Sequence, residues 1–383
     1  MAVVAESGKP EVSIITKVGA LPVSIAPLLP FVGWLLGGGI FHWITPIVLF
    51  GFGIVLDHLI GEDLRNVPAE QEARYEKSLY YRLTLWLYWP LQAAVVIFSY
   101  YLITQTPMAL HEQIGLALSM AIAVGFGATL GHELCHHGNR LDRVIGVNVL
   151  ALCGMANFLI YHNYGHHKVV ATPDDPASAR FGQTFWSFTV PNIWGKFLMS
   201  WRIEAERLRQ RGEGPLSPRN LMIWLTALEL AWLIGLTLAF GWLAIALFAL
   251  QWITPRALLS VGDYLEHYGL ARRRLPSGEY EPPRAVHSWD DGHLVSSLLF
   301  TVVDRHSDHH ENSGRPFQIL RARPEAARLP HGYLTMVFVA LVPALWRRMV
   351  DPIAIEFYER GEVVPHAVPG ALPEHLREGA YVY

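Results

Sequence analysis

Cysteine and charge are the scarce features of this sequence. Two cysteines, Cys135 and Cys153, occur in 383 residues. They are too few for a disulfide framework and lack the C-x-x-C spacing of a zinc or redox site. Both are expected to be free thiols in a reducing compartment. Charged residues make up 16% of the chain, against about 25% in a typical soluble domain. The formal net charge is −3, so no basic surface points to nucleic acid. The first residues lack the basic–apolar–small pattern of a cleaved signal peptide. No nucleotide fingerprint is present, so neither a bound flavin nor a bound nicotinamide is expected. Internal repeats and low-complexity tracts are also absent.

Apolar residues fill the gap, at 52% of the chain. The mean hydropathy of +0.25 is too low for a molecule that lies wholly in lipid. The expected fold is an all-α integral membrane protein with about six spans and a substantial polar part. A span needs about 20 mostly apolar residues. Leu21–Phe41, Trp43–Ile60, Leu83–Leu102, Ile114–Leu134, Leu221–Phe240 and Trp242–Val261 qualify. Pro90 is a candidate kink in the third.

Lysine and arginine orient these spans. The short connections near Gly37–His42, Thr104–Gln113 and Gly241 carry none. The loop after Ile60 carries Arg65, Arg74, Lys77 and Arg82, and basic residues recur from Arg140 to Arg219. Both long loops are therefore expected on the cytoplasmic side. The whole chain, 1–383, reads as one membrane-embedded catalytic domain with a cytoplasmic cap of residues 135–220 and 262–383.

Three segments test this scheme. Val144–Ile160 is apolar but is expected to be re-entrant or interfacial, because a crossing would separate the histidines on either side of it. Arg256, inside the sixth span, is expected to snorkel to the surface or to pair with an acid. Tyr333–Leu345 contains Pro343 and is expected to lie on the membrane surface.

Histidine is the abundant exception, with 18 copies. Ten of them are grouped: His132, His136 and His137; His162, His166 and His167; His306, His309 and His310; and His267 in the stretch Asp263-Tyr264-Leu265-Glu266-His267-Tyr268-Gly269. The pairs His132/His136, His162/His166 and His306/His310 are four residues apart. On a helix such residues share a face, with Cβ atoms about 5–6 Å apart, within reach of one metal. All four groups meet on one side only if Val144–Ile160 does not cross. The other histidines have ordinary roles open to them. His42, His58, His111, His331, His366 and His375 are expected at the surface or in single hydrogen bonds. His287 and His293 are either surface groups or donors near the site.

Imidazole suits zinc, copper, iron and nickel, so ligand type does not choose among them. Ten grouped histidines exceed what one tetrahedral zinc uses, and two metals with four or five each fit the number. Glu133, Asp263, Glu266 and Asp308 are candidates for orienting the ligands from behind. A rival motif overlaps: His132-Glu133-Leu134-Cys135-His136 spells the H-E-x-x-H of zinc proteases. It leaves eight of the grouped histidines without a purpose. A metal transporter or sensor is the other alternative.

These same motifs resemble the membrane alkane 1-monooxygenase (alkane omega-hydroxylase) family, within the membrane desaturases and hydroxylases. The family's HELxHK is similar to His132–His137, with His137 in the place of Lys. EHNxGHH is similar to Tyr161–His167, NYxEHYG to Asp263–Gly269, and LQRHSDHH to Val303–His310. Ala171–Ser178 also looks familial.

The resemblance implies nine iron ligands: His132, His136, His162, His166, His167, His267, His306, His309 and His310. His137 stays a neighbour. It further implies two iron ions, O2 as co-substrate, terminal hydroxylation of medium- or long-chain n-alkanes to 1-alkanols, and the cytoplasmic membrane of a bacterium. Electrons would come from rubredoxin, fed by a rubredoxin reductase, since no four-cysteine module lies in this chain. Lys196–Arg219 is a docking candidate for that acidic donor, or else a lipid-headgroup contact. Leu49 matches the channel position that tunes chain length in the family. A fatty-acyl desaturase or hydroxylase is the alternative with similar irons.

Overall fold

The computed structural model describes residues 12–382. Five helices are long and apolar enough to cross a membrane. We number the principal helices in chain order. The long ones are α2 (Gly39–Ile60), α3 (Leu79–Gln105), α4 (Leu110–His136), α7 (Leu221–Phe240) and α8 (Leu243–His267). At 1.5 Å per residue, each matches or exceeds the roughly 30 Å of a hydrocarbon core. Helix α3 runs unbroken through Pro90.

The first expected span takes a different form. Its helical part, α1, covers only Leu21–Leu35 and breaks into a 3-10 turn at Ala26–Leu28. Pro22, Pro27 and Pro30 explain this, because each removes a backbone donor. The segment nevertheless runs the height of α3. At one end the Tyr80 and Tyr81 hydroxyls donate to the carbonyls of Val18 and Thr16. Further along, Phe31 and Trp34 pack on Phe98. At the far end the N–H of Gly39 donates to Glu112 at the start of α4. Broken helix α1 thus runs alongside α3 without being long enough to count as a span.

The cap is built from shorter pieces. Helix α5 (Arg140–Leu152) turns back through Gly154, whose φ is +68°. The chain then returns along residues 158–169, with π-helical geometry over His162–His166. His136 before this excursion and His162 after it have Nε2 atoms 2.9 Å apart. The segment therefore does not cross, as the convergence of histidines required. Helix α6 (Phe185–Arg209) follows, and α9 (His306–Glu311) lies further on. Strands of two to four residues pair Leu270–Ala271 with Val364–Ala367 and Trp289–Asp290 with Ala327–Arg328.

Two local expectations are corrected. Tyr333–Leu345 is not one helix on the outside of the protein. It splits into α10 (Tyr333–Ala340) and α11 (Pro343–Glu359), bent by 120°. Proline opens α11, where its missing N–H costs nothing. Most of α10 is buried against α8 and α2. Arg256 forms no ion pair among the described residues. It stacks on Trp252, its guanidinium carbon 3.9 Å from the ring centroid, and is attracted through space by Glu229 of α7.

One buried carboxylate ties α2 to the cap. Asp57 accepts from both the N–H and the hydroxyl of Ser296, at 2.9 and 2.8 Å. Asp57→Ala should lower stability by about 1–3 kcal/mol, the cost of stranding buried donors. Thermal denaturation in detergent measures this, and an unchanged midpoint would show that the contact contributes nothing.

Candidate metal centre

Three helical segments and the end of α8 aim imidazoles at one place. Helix α4 presents His132 and His136, one turn apart. The return run presents His162, His166 and His167. A π-turn closes on the fifth residue rather than the fourth, so His167 comes back over His162 much as His166 does. Helix α8 continues past the expected end at Val261 and carries Asp263, Glu266 and His267 on its last turns. Helix α9 presents His306, His309 and His310.

The nine expected ligands fall into two groups. In the first, the Nε2 atom of His132 lies 2.8 Å from that of His162, 3.1 Å from His309 and 3.3 Å from His136. His167 joins it, with its Nε2 2.9 Å from His162 and 3.3 Å from His136. In the second, the Nε2 atom of His306 lies 3.0 Å from His267 and 2.8 Å from His310, and His166 lies 3.1 Å from His310. Four imidazoles of each group have ligand atoms within 4.8 Å of one another, and His167 adjoins the first group through His136 and His162. His42, His58, His111, His287, His293, His331, His366 and His375 belong to neither.

This arrangement calls for cations. A neutral imidazole has one N–H and one lone pair, so four or five Nε2 atoms at such distances cannot all be satisfied by one another. Burial pushes His162, His306, His309 and His310 well below the usual imidazole range, and crowding by the other imidazoles pushes the same way. Burial thus disfavours their cationic form, and their Nε2 atoms face a common point. The donor set fits metal ions that prefer nitrogen ligands.

His137 is excluded from both groups by its own bonds. Its Nε2 lies 3.1 Å from Glu133 and its Nδ1 3.1 Å from Asp142. Burial disfavours its cation, but the two carboxylates outweigh that and raise its pKa. Neither nitrogen has a lone pair left for a metal.

The four expected acids divide. The carboxylate of Glu133 faces His137 and also accepts from the N–H of Phe317. It does not face an open position beside His132 and His136, as the base of a zinc protease must. Asp263 pairs with the buried Lys196 and accepts from Asn192. Glu266 approaches the metal-facing side of its histidine: its Oε2 lies 3.3 Å from the Nε2 of His306. Asp308 stands apart, binding Arg315, Arg323 and the N–H of Arg321. It anchors the cap and touches no grouped imidazole nitrogen.

The acid that does stand behind a ligand is Asp175, which the spacing argument missed. Its Oδ2 accepts from the Nδ1 of His166 at 3.1 Å, and its Oδ1 from the Tyr161 hydroxyl at 2.8 Å. Burial raises its pKa, but His166 and the hydrogen bonds from His166, Ala177 and Tyr161 together bring it below the usual range. The only signal was its place in the stretch Ala171–Ser178, which resembles the family.

An apolar pocket ends on the histidines. Phe126, Phe158, Leu258, Leu259, Phe300 and Val303 form its walls, and His132, His162, His166 and His306 line its inner end with Glu266 and Asp263. Leu49 is not on the wall. It sits in the π-helical turn of α2, buried in the same apolar cluster as Phe126.

Residues 111–340 match the family model described as "Fatty acid desaturase". The chain is 37% identical to Alkane 1-monooxygenase 2 of Pseudomonas aeruginosa, over 82% of this chain and 85% of that protein. It is 36% identical to Alkane 1-monooxygenase of Ectopseudomonas oleovorans, over 86% and 84%. It is 34% identical to Alkane 1-monooxygenase 1 of Alcanivorax borkumensis, over 86% and 83%. The chain belongs to the membrane-bound alkane 1-monooxygenase family. As a member it is an enzyme, an oxidoreductase. Membership agrees with the geometry in setting aside the protease reading, since His132 and His136 share their group with three other imidazoles.

Carboxylates behind metal-binding histidines typically contribute about 10–100-fold in metal affinity or activity. Asp175→Ala should therefore make the protein lose metal to a chelator about 10–100-fold more readily, read by elemental analysis after dialysis. Retention equal to the parent would confine Asp175 to shaping its turn.

Proposed function

We propose that this enzyme converts medium- and long-chain n-alkanes to 1-alkanols with O2 at a pair of iron ions held by five and four histidines. One observation carries the reading: imidazoles from two converging groups line an apolar pocket. Bound there, the iron pair would supply the redox chemistry that reduces O2 and attacks an unactivated C–H bond. The first group would comprise His132, His136, His162, His167 and His309, and the second His166, His267, His306 and His310.

The chain's own residues set the rest. The phenylalanine and leucine walls exclude water and offer no hydrogen bonds, which suits a substrate with nothing to donate or accept. Shape must then select the terminal methyl. Asp175 holds the ring of His166 in place from behind. Glu266 brings a carboxylate to the metal-facing side of His306. The spans and the cap work as one catalytic unit in a bacterial cytoplasmic membrane, with the histidine end toward the cytoplasm, as the basic loops favour.

Electrons would come from rubredoxin, recharged by its reductase. Lys196 cannot contribute to a docking surface, because it is buried on Asp263. Of the other cations on that stretch, Arg207, Arg209 and Arg219 are paired with Glu204, Glu206 and Glu213. His136 and His167 are the grouped histidines that are only partly buried. A donor seated over them would have the shortest path to the metals.

Two measurements test this reading. Elemental analysis should find about two irons per chain and little zinc, in keeping with the donor count. One zinc and no iron, persisting in iron-supplemented preparations, would overturn it. Turnover with octane, rubredoxin and rubredoxin reductase should yield the 1-alkanol. A double bond introduced into an acyl chain instead would favour the desaturase activity after which the matching family model is named. Leu49→Trp should shorten the preferred alkane by crowding the cluster behind Phe126. An unchanged chain-length profile would remove Leu49 from any role in selection.

A further inference from the structure

Helix α6 carries two unlike faces. The inner face holds Phe188, Asn192, Lys196, Ser200 and Glu204, all buried. It lies across the histidine ends of α7 and α8. Asn192 and Lys196 reach Asp263 of α8, and Glu204 accepts from the N–H of Leu221, where α7 begins. The outer face is apolar over its first three turns. Trp186, Val190, Trp194 and Leu198 recur every fourth residue and are exposed by 61%, 61%, 60% and 48%. One turn later the same face changes character, with exposed Arg202, Glu206 and Arg209.

A stripe this apolar is unusual on a face that meets water, and single exposed leucines are no precedent for it. Its surroundings say what covers it. The sides of α7 and α8 beside it are also apolar and exposed, at Trp224, Leu230 and Ile253, as lipid-facing spans must be. The stripe continues that surface at the level where both spans end. Tryptophan is the residue that favours this level. Helices with an apolar stripe and a charged remainder lie in the boundary between headgroups and acyl chains.

We propose that the Trp186–Leu198 stripe of α6 is seated in the lipid boundary of the leaflet on the histidine side, making α6 a membrane-surface helix and not a water-facing part of the cap. The partner of this face is lipid. Its switch from Leu198 to Arg202 marks where the chain leaves the acyl region. The seat places the gap between α6 and α8, where Ile193, Leu259 and Met155 stand beside Asn157, Lys196 and Arg256, at the lipid boundary. That gap shares Phe158 and Leu259 with the catalytic pocket. This proposal stands whatever the substrate is.

The test uses the full chain in phospholipid vesicles, with a nitroxide attached at Trp194→Cys or, separately, Val190→Cys. Cys135 and Cys153 are buried and should stay unlabelled. Ile253→Cys serves as the lipid-facing reference and Glu206→Cys as the water-facing one. Collisions with dissolved oxygen and with a water-soluble nickel chelate are compared by electron paramagnetic resonance. The expected ratio at both stripe positions matches Ile253→Cys and exceeds Glu206→Cys several-fold in favour of oxygen. A ratio like that of Glu206→Cys would overturn the proposal and return the stripe to a soluble partner. Low access to both reagents would also overturn it, by showing that a second copy of the chain covers the face.

Discussion

Neutral imidazoles packed with their lone pairs inward repel one another unless something positive lies between them. This protein brings nine imidazoles together, and much of its architecture follows from that constraint. No backbone carbonyl or single carboxylate could satisfy the five nitrogens around His132 and His162. The chain must bring them from separate segments and hold them at fixed depth. It does so with a span that ends on two histidines, a helix that turns back before crossing, a span prolonged past the lipid, and a short helix in the cap.

The convergence of the histidine clusters was legible in the sequence because helical spacing puts residues four apart on one face. The failure of Val144–Ile160 to cross was legible for a different reason: the histidines flanking it had to meet. The finer geometry was not. An α-helical reading of His162–His167 sends His167 away from the other two, and only the π-turn brings it back. Spacing carries no sign of a π-turn. Asp175 escaped notice because a supporting carboxylate lies wherever tertiary packing puts it, here nine residues beyond His166. Asp308 misled for the converse reason. It lies within two residues of His306, His309 and His310, yet its position on the helix turns it toward cap arginines.

The membrane part shows the same division. Five spans follow from hydropathy with ends shifted by a few residues. The first does not form one continuous helix, because three prolines interrupt it, and its place beside α3 is visible only from its packing. The end of α8 was misplaced because a hydropathy window stops at Asp263, whereas the helix continues: Lys196 neutralises that charge from α6. A charged residue ended the apolar run without ending the helix.

The two metal groups are interleaved along the chain. The return run contributes His162 and His167 to one and His166 to the other, and α9 likewise gives His309 to the first and His306 and His310 to the second. Neither group is complete until the ribosome has passed residue 310, after every membrane span has been made. Any metal held by these groups would therefore arrive late in biogenesis, after the five long spans have been made. Because two segments serve both groups, neither group can be displaced without disturbing the other.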